Sequence, residues 1–408
     1  MNQAIVLEAL IKTVIVIGGL ATGAAYLVLL ERKMAAWVQD RIGPNRAGIP
    51  LTDIRLGGLG QPLADGLKVL FKEDFTPAHV DRWLFTLAPV LILVAAFAAF
   101  AVIPFGSVLP VRSAATGTGA PVSLVIAPGV NVAVLYVFAV SSIAVYGVIL
   151  GGWASNNKYS LLGGLRSSAQ LIAYELPMGL GLLGIVVAAG SLNLEEIIVR
   201  QAAGGWYVLL QPLGFIVFVV AAFAEAARLP FDLPECEQEL VGGYHTEYSG
   251  MRLLLFLLTE FLHMITAAAL IVILFLGGWH LPGGLTGSTD EVGWFGALAR
   301  VVVLVGKVFL VIVVFMLVRW SWPRFRYDQL MALAWKVMLP LGMVNFLTVA
   351  VLEQVRWAWR LEGPYWTALL AAAAWGVCAI AVVLLAVAAP GVADNRGCRF
   401  TESEEQTG

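Results

Sequence analysis

Nine apolar runs divide this chain, at approximately 5–30, 83–105, 127–153, 168–190, 208–229, 252–277, 294–318, 329–353 and 365–389. Each is about as long as a helix must be to cross a bilayer, roughly 20 residues. Inside lipid a backbone has to satisfy its own hydrogen bonds, so such runs form helices. Charged residues make up 13% of the 408 positions, against roughly 25% in soluble globular domains. That supply cannot cover a soluble surface of this size. The expectation is an all-α polytopic membrane protein with about nine transmembrane helices. The first run carries Glu8 and Lys12, lacks a basic leading segment, and continues to Leu30, so it reads as a helix rather than a signal peptide.

Lys and Arg in the connections set the expected orientation, because they concentrate on the cytoplasmic side. Of 25 basic residues, 18 fall on one side, eight of them between Arg32 and Arg82. The other side holds Lys12, Arg112, Arg200, Arg300, Lys307, Arg356 and Arg360. The side with 18 is read as cytoplasmic, which puts the N-terminus outside and the C-terminus inside. In the first cytoplasmic connection, Leu63–Phe71 is amphipathic, with Lys68 and Lys72 on its polar side, and should lie along the interface. The outer loop 106–126 is rich in Gly, Ser and Thr and reads as a flexible connection. The expected organisation is one transmembrane domain over 1–392 and a polar, disordered tail over 393–408.

Several chemistries are excluded. Net charge is −2, so nucleic-acid binding has no electrostatic support. Cys236, Cys378 and Cys398 stand far apart, and the four histidines show no ligand spacing, so no iron–sulfur run or zinc site is encoded. Gly179, Gly181 and Gly184 match G-x-G-x-x-G, but within an apolar helix and without a preceding strand. They read as helix packing, as do Gly19 and Gly23. His245 and His263 read as satisfied polar groups.

The acids are harder to explain as ordinary surface. Glu175, Glu225 and Glu260 lie within or at the inner ends of the fourth, fifth and sixth runs. An ionisable group there costs several kcal/mol and tends to mark a pathway or site. Snorkelling or structural pairing is the alternative for any one of them. Glu225 stands three residues before Arg228, so a shared helix face and an ion pair would hold it. Glu175 precedes Pro177, which removes a backbone donor. Pro230 to Leu240 then gathers Asp232, Glu235, Glu237 and Glu239. Glu235 and Glu239 are four apart and would stack on one face of a short helix. Carboxylates so close cannot all ionise, so the cluster could store and pass protons. A solvated acidic loop would show the same spacing.

The longer motifs carry a resemblance. Glu31-Arg32-Lys33 with Gln39-Asp40-Arg41-Ile42-Gly43-Pro44-Asn45-Arg46 is similar to the first cytoplasmic loop of the H-subunit family of bacterial NADH–quinone oxidoreductases, the counterpart of mitochondrial NADH dehydrogenase subunit 1. Gln61 to Lys68, Gly152 to Asn156, Lys158 to Gly163, Ala173 to Leu176, Ala224 to Arg228, Pro230 to Glu239, Tyr244 to Tyr248 and Arg326 to Met331 follow in the family's order. The resemblance runs from about 20 to 345. The common family part is about 1–353, and the ninth helix, about 365–389, is an addition.

The resemblance implies a protein that anchors a soluble redox arm and forms the membrane part of a quinone chamber. It implies ubiquinone or menaquinone as substrate. Flavin and iron–sulfur clusters are expected only in partner subunits, one of which brings its cluster to the chamber. No catalysis is expected from the isolated chain. Carried over, Arg32 and Lys68 match basic positions of the quinone passage, and Trp37, Arg41, Asp65 and Phe231 lie in matching stretches. Glu175, Glu225, Asp232, Glu235, Glu237, Glu239 and Glu260 match the acidic path of proton translocation. Some relatives have an acid where this chain reads Ser142, so water or another residue should carry that link. The expected location is the plasma (inner) membrane of a bacterium. A membrane-bound energy-converting hydrogenase subunit or a secondary transporter is the alternative, although no repeated halves with broken helices are visible.

The orientation has a direct check. In a variant cleared of native cysteines, Cys introduced at Arg112 should react with an impermeant thiol reagent from the outer side only. Labelling confined to the cytoplasmic side would reverse the topology.

Overall fold

A computed structural model describes residues 3–48, 57–112, 121–232, 237–281, 293–360 and 363–388. Its helices are α1 (Gln3–Val38), α2 (Gln61–Leu70), α3 (Arg82–Ala99), α4 (Ala133–Ala154), α5 (Lys158–Ala189), α6 (Leu194–Gly204), α7 (Tyr207–Leu210), α8 (Pro212–Glu225), α9 (Glu237–Leu240), α10 (Gly250–Phe275), α11 (Trp294–Ser321), α12 (Tyr327–Ala332), α13 (Leu339–Trp359) and α14 (Pro364–Ala388). Strands β1 (Val108–Arg112) and β2 (Pro121–Ser123) pair antiparallel. The loop read as flexible therefore contains a short hairpin, whose paired backbone groups replace the expected irregular coil.

Among the described residues eight helices are long and apolar enough to span, counting Tyr327–Trp359 as one. Of the nine runs expected, the fifth forms only a shorter apolar helix. There the chain forms one turn, α7, and then the 14-residue α8. Proline explains the break. Pro212 has no N–H, and the residue before a proline is pushed out of the helical region. Gln211 accordingly sits at φ −140, ψ 64. Its buried side chain repairs some of the loss by donating to Gly184 O of α5 at 3.2 Å. A second proline acts more gently. Pro340 removes a donor at the start of α13, and the preceding turn, Leu333–Met338, widens into a π-helix without breaking the rod.

The long helices wrap around α10, the most enclosed of them. From Ala267 to Phe275 every α10 side chain is buried. α3 packs along α4 and α10, while α5 packs on α4, α8 and α13. α14 lies against α7, α8 and α13, and Trp375 donates to Leu209 O at 3.0 Å. α2 forms where the amphipathic stretch was expected, with none of its residues buried. The tail 393–408 lies outside the described residues.

Small residues set the closest approaches. A Cβ on Gly181 would stand 3.1 Å from Gly214 O, and one on Gly184 2.7 Å from Gln211 Oε1, so these two glycines serve helix packing as expected. Gly19 and Gly23 differ, since nothing lies within 4 Å of a Cβ at either. Gly163 meets backbone more closely still, since a Cβ there would fall 2.6 Å from that of Gly243. Backbone cannot step aside as a side chain can. Gly163→Ala should therefore destabilise the chain by about 1–3 kcal/mol through overpacking, despite a gain of roughly 1 kcal/mol in helix propensity. Gly179→Ala, with open space around it, should be neutral or stabilising. Thermal unfolding in detergent compares the two; equal behaviour would show that the approach is loose.

Candidate functional site: a buried carboxylate chamber

Glu175 sits midway along α5, Glu225 is the last residue of α8, and Glu260 lies one third along α10. All three line one cavity, with Ser141, Tyr244 and His263. α8 ends at Glu225 because the following residues leave the helical path, Ala227 having φ +48. A short helix thereby delivers a carboxylate to the interior instead of to the membrane face. Serines of α4 answer two of the acids. Ser142 donates to Glu175, and Ser141 hydrogen-bonds Glu225. Ser142 itself thus reaches Glu175.

Beside the chamber lies an ion network. Arg228 pairs with Glu31 at 3.3 Å and with Glu260 at 3.6 Å, and its guanidinium stands 4.4 Å from the Phe261 ring centre. Arg319 of α11 also pairs with Glu31, and Arg324 pairs with Asp232 at 3.7 Å. The expected alternative, a Glu225–Arg228 pair on one helix face, does not form. The helix stops at Glu225, so three-residue spacing no longer implies a common face, and Arg228 turns toward α1 and α10. Burial pushes the Asp232 carboxyl up to about 7; Glu260 adds to the rise, while Arg324 and Arg228 oppose it.

The other anticipated residues separate into groups. Arg32 at the end of α1 pairs with Asp65 of α2 at 2.7 Å; Lys68 lies 3.9 Å from Asp65, and Gln61 donates to it at 3.1 Å. This ties the two helices into an elbow. Trp37 and Arg41 are exposed beyond it. Phe231 is buried, packed between the rings of Tyr174 and Phe325. Glu239 faces the surface and pairs with Arg166 at 2.9 Å, away from the three chamber acids. Glu235 lies outside the described residues, as does the side chain of Glu237, so the proposed stacking of Glu235 on Glu239 does too.

Sequence reasoning missed Glu31, Arg319 and Arg324 as network members. Glu31 adjoins an apolar run just as Glu225 does, and that was the available signal. It passed over Ser141, since serines are common in membrane helices. It also set His263 aside, although its i, i+3 spacing from Glu260 puts both on one face. Among the described residues no group of three or more His, Cys, Asp or Glu is placed to hold a metal ion.

Fold and site together define a class: a multi-pass helical membrane protein with carboxylates enclosed in its bundle. Comparison with known proteins narrows this. The family model for NADH dehydrogenase matches residues 11–350. The chain is 49% identical over 335 residues to the NADH-quinone oxidoreductase H subunit numbered 1 of Geobacter metallireducens, covering 82% of this chain and 93% of that protein. It is 45% identical to the H subunit numbered 1 of Cytophaga hutchinsonii, over 79% of this chain and 90% of the relative. It is 43% identical to the H subunit of Flavobacterium johnsoniae, over 85% and 95%. The chain belongs to the H-subunit family of NADH-quinone oxidoreductases. α14 falls beyond the matched residues.

The network predicts an asymmetry in mutational cost. Removing one member of a buried ion pair costs about 3–5 kcal/mol, while replacing both can be near neutral. Arg228→Met should lower stability by about that amount, and adding Glu260→Gln should recover part of it. Denaturation in detergent measures both, and a single variant as stable as the parent would remove Arg228 from any structural role.

Proposed function

We propose that this chain forms the membrane part of the quinone chamber in a proton-pumping NADH:quinone oxidoreductase and couples quinone reduction to proton translocation. The observation that carries this reading is the enclosure of Glu175, Glu225 and Glu260 around one cavity in a chain of this family. Acids so costly to bury are retained where charge must move. The chain acts as one membrane domain over about 1–392 of a bacterial plasma membrane, with the N-terminus outside. It anchors the soluble arm, whose flavin and iron–sulfur clusters sit in other subunits.

The α1–α2 elbow supports the placement of the quinone passage. Arg32, Asp65 and Lys68 offer a few polar groups beside exposed apolar side chains such as Trp37, Leu63 and Leu67. A quinone needs that mixture, an apolar channel with sparse, fixed donors for the headgroup. Arg41 and Phe231 flank the passage on this reading. Quinone reduction takes up protons and changes charge near the loop of Asp232, Glu235, Glu237 and Glu239. Each pKa unit is about 1.4 kcal/mol, so a nearby change of charge redistributes protons among interacting carboxylates. Glu260, Glu225 and Glu175 then continue the path into the membrane.

Glu225→Gln and Glu175→Gln should each lower quinone-linked NADH oxidation by more than tenfold in assembled complex. Electron transfer from NADH to ferricyanide should be spared, because it bypasses the membrane. Full quinone-linked activity and full pumping in both variants would make these glutamates structural.

A further inference from the structure

A second cavity adjoins the chamber along α10. The two share three lining residues, Ser141, Glu225 and His263. The second is otherwise lined by apolar side chains of α3, α4, α5 and α10, together with Thr266. Glu225 and His263 are its only ionisable lining groups among the described residues.

We propose that His263 is the proton carrier that joins these cavities, accepting a proton on the Glu225–Glu260 side and releasing one on the Thr266 side. This rests on the proton-path reading above and extends it toward the C-terminal end of α10. Three facts support it. Glu260, His263 and Thr266 recur every three residues, one face of α10 advancing about 4.5 Å each time, and this face runs from the first cavity into the second. The neighbouring threonine hydroxyls have their hydrogens committed to backbone. Thr259 donates to Leu255 O at 2.7 Å and Thr266 to Leu262 O at 2.9 Å. They can hold water through their lone pairs, but neither has a proton to pass on while that bond lasts. Imidazole, by contrast, has one nitrogen that accepts and one that donates.

The transfer balances without a redox partner. A carboxylic acid of the chamber gives its proton to the unprotonated ring nitrogen, becoming a carboxylate. The imidazolium then loses the proton on its other nitrogen to water in the second cavity. The ring ends neutral as the other tautomer and resets by rotating.

Assembled complex reconstituted into vesicles tests this with NADH and a short-chain ubiquinone, a pH-sensitive dye reporting pumping. His263→Asn keeps a hydrogen-bonding side chain that cannot carry a proton. It should lower quinone-linked turnover and pumping together by more than tenfold, with ferricyanide reduction unchanged. His263→Ala should show the same loss and regain activity as imidazole is added, an effect no structural defect would show. Should His263→Asn assemble poorly, turnover per assembled complex of His263→Ala with and without imidazole decides the matter. Loss in both variants with no response to imidazole would assign His263 a structural role and overturn the proposal. Full activity in the His263 variants with loss in Glu225→Gln would overturn it while sparing the acidic path, and full activity in all of them would overturn both.

Discussion

Arg228 stands just past the end of α8 with its guanidinium between Glu31 of α1 and Glu260 of α10. Its side chain is 9% exposed, and those of Glu31 and Glu260 are 11% and 15% exposed. In a bundle of apolar helices such charges are tolerable only in each other's company. The cost of stripping water from an ion is several kcal/mol, and a partner at hydrogen-bonding distance offsets most of it. Three helices are thereby tied at one level, and Arg319 extends the tie to α11. Removing Arg228 takes a cation from both Glu31 and Glu260, so the network holds the chamber's wall in register.

The broken fifth helix is the second device. Fourteen helical residues rise about 21 Å, short of the roughly 30 Å of hydrocarbon. The backbone leaving α8 packs inside the bundle, with Ala224, Ala226, Arg228 and Phe231 buried. Irregular backbone is tolerated there only when protein surrounds it. Here Gln170 of α5 donates to Ala224 O and Phe231 O, and the Tyr174 hydroxyl donates to Leu330 O. At the other end of the break, Gln211 reaches Gly184 and Trp375 of α14 reaches Leu209 O. The added ninth helix thus helps to satisfy the backbone that the proline exposed.

Carboxylates and hydroxyls then divide the work. Ser141 and Ser142 bring donors to the acids without adding charge. The basic groups stay with Glu31, Glu260 and Asp232, on the network side. Glu175 and Glu225 face each other closely enough for their charges to interact.

Much of this was legible in the residues. The apolar runs determined the helices because length and hydrophobicity alone decide what can cross a bilayer. The acids in those runs marked the chamber, because burial makes them costly wherever the chain happens to lead. Long motifs such as Gln39 to Arg46 placed the chain among its relatives. Partners across the bundle were not legible. Spacing offered Glu225 as an alternative partner for Arg228, which pairs with Glu31, 197 positions away. Glu239 found Arg166 and not the chamber. Ser142 took up Glu175, and His263 came to stand between two cavities. Such contacts depend on where a helix stops and how it is turned about its axis. Pro212, Ala227 and the close packing of glycines settle both, and only the assembled bundle shows the result, because a side chain's neighbours come from other helices.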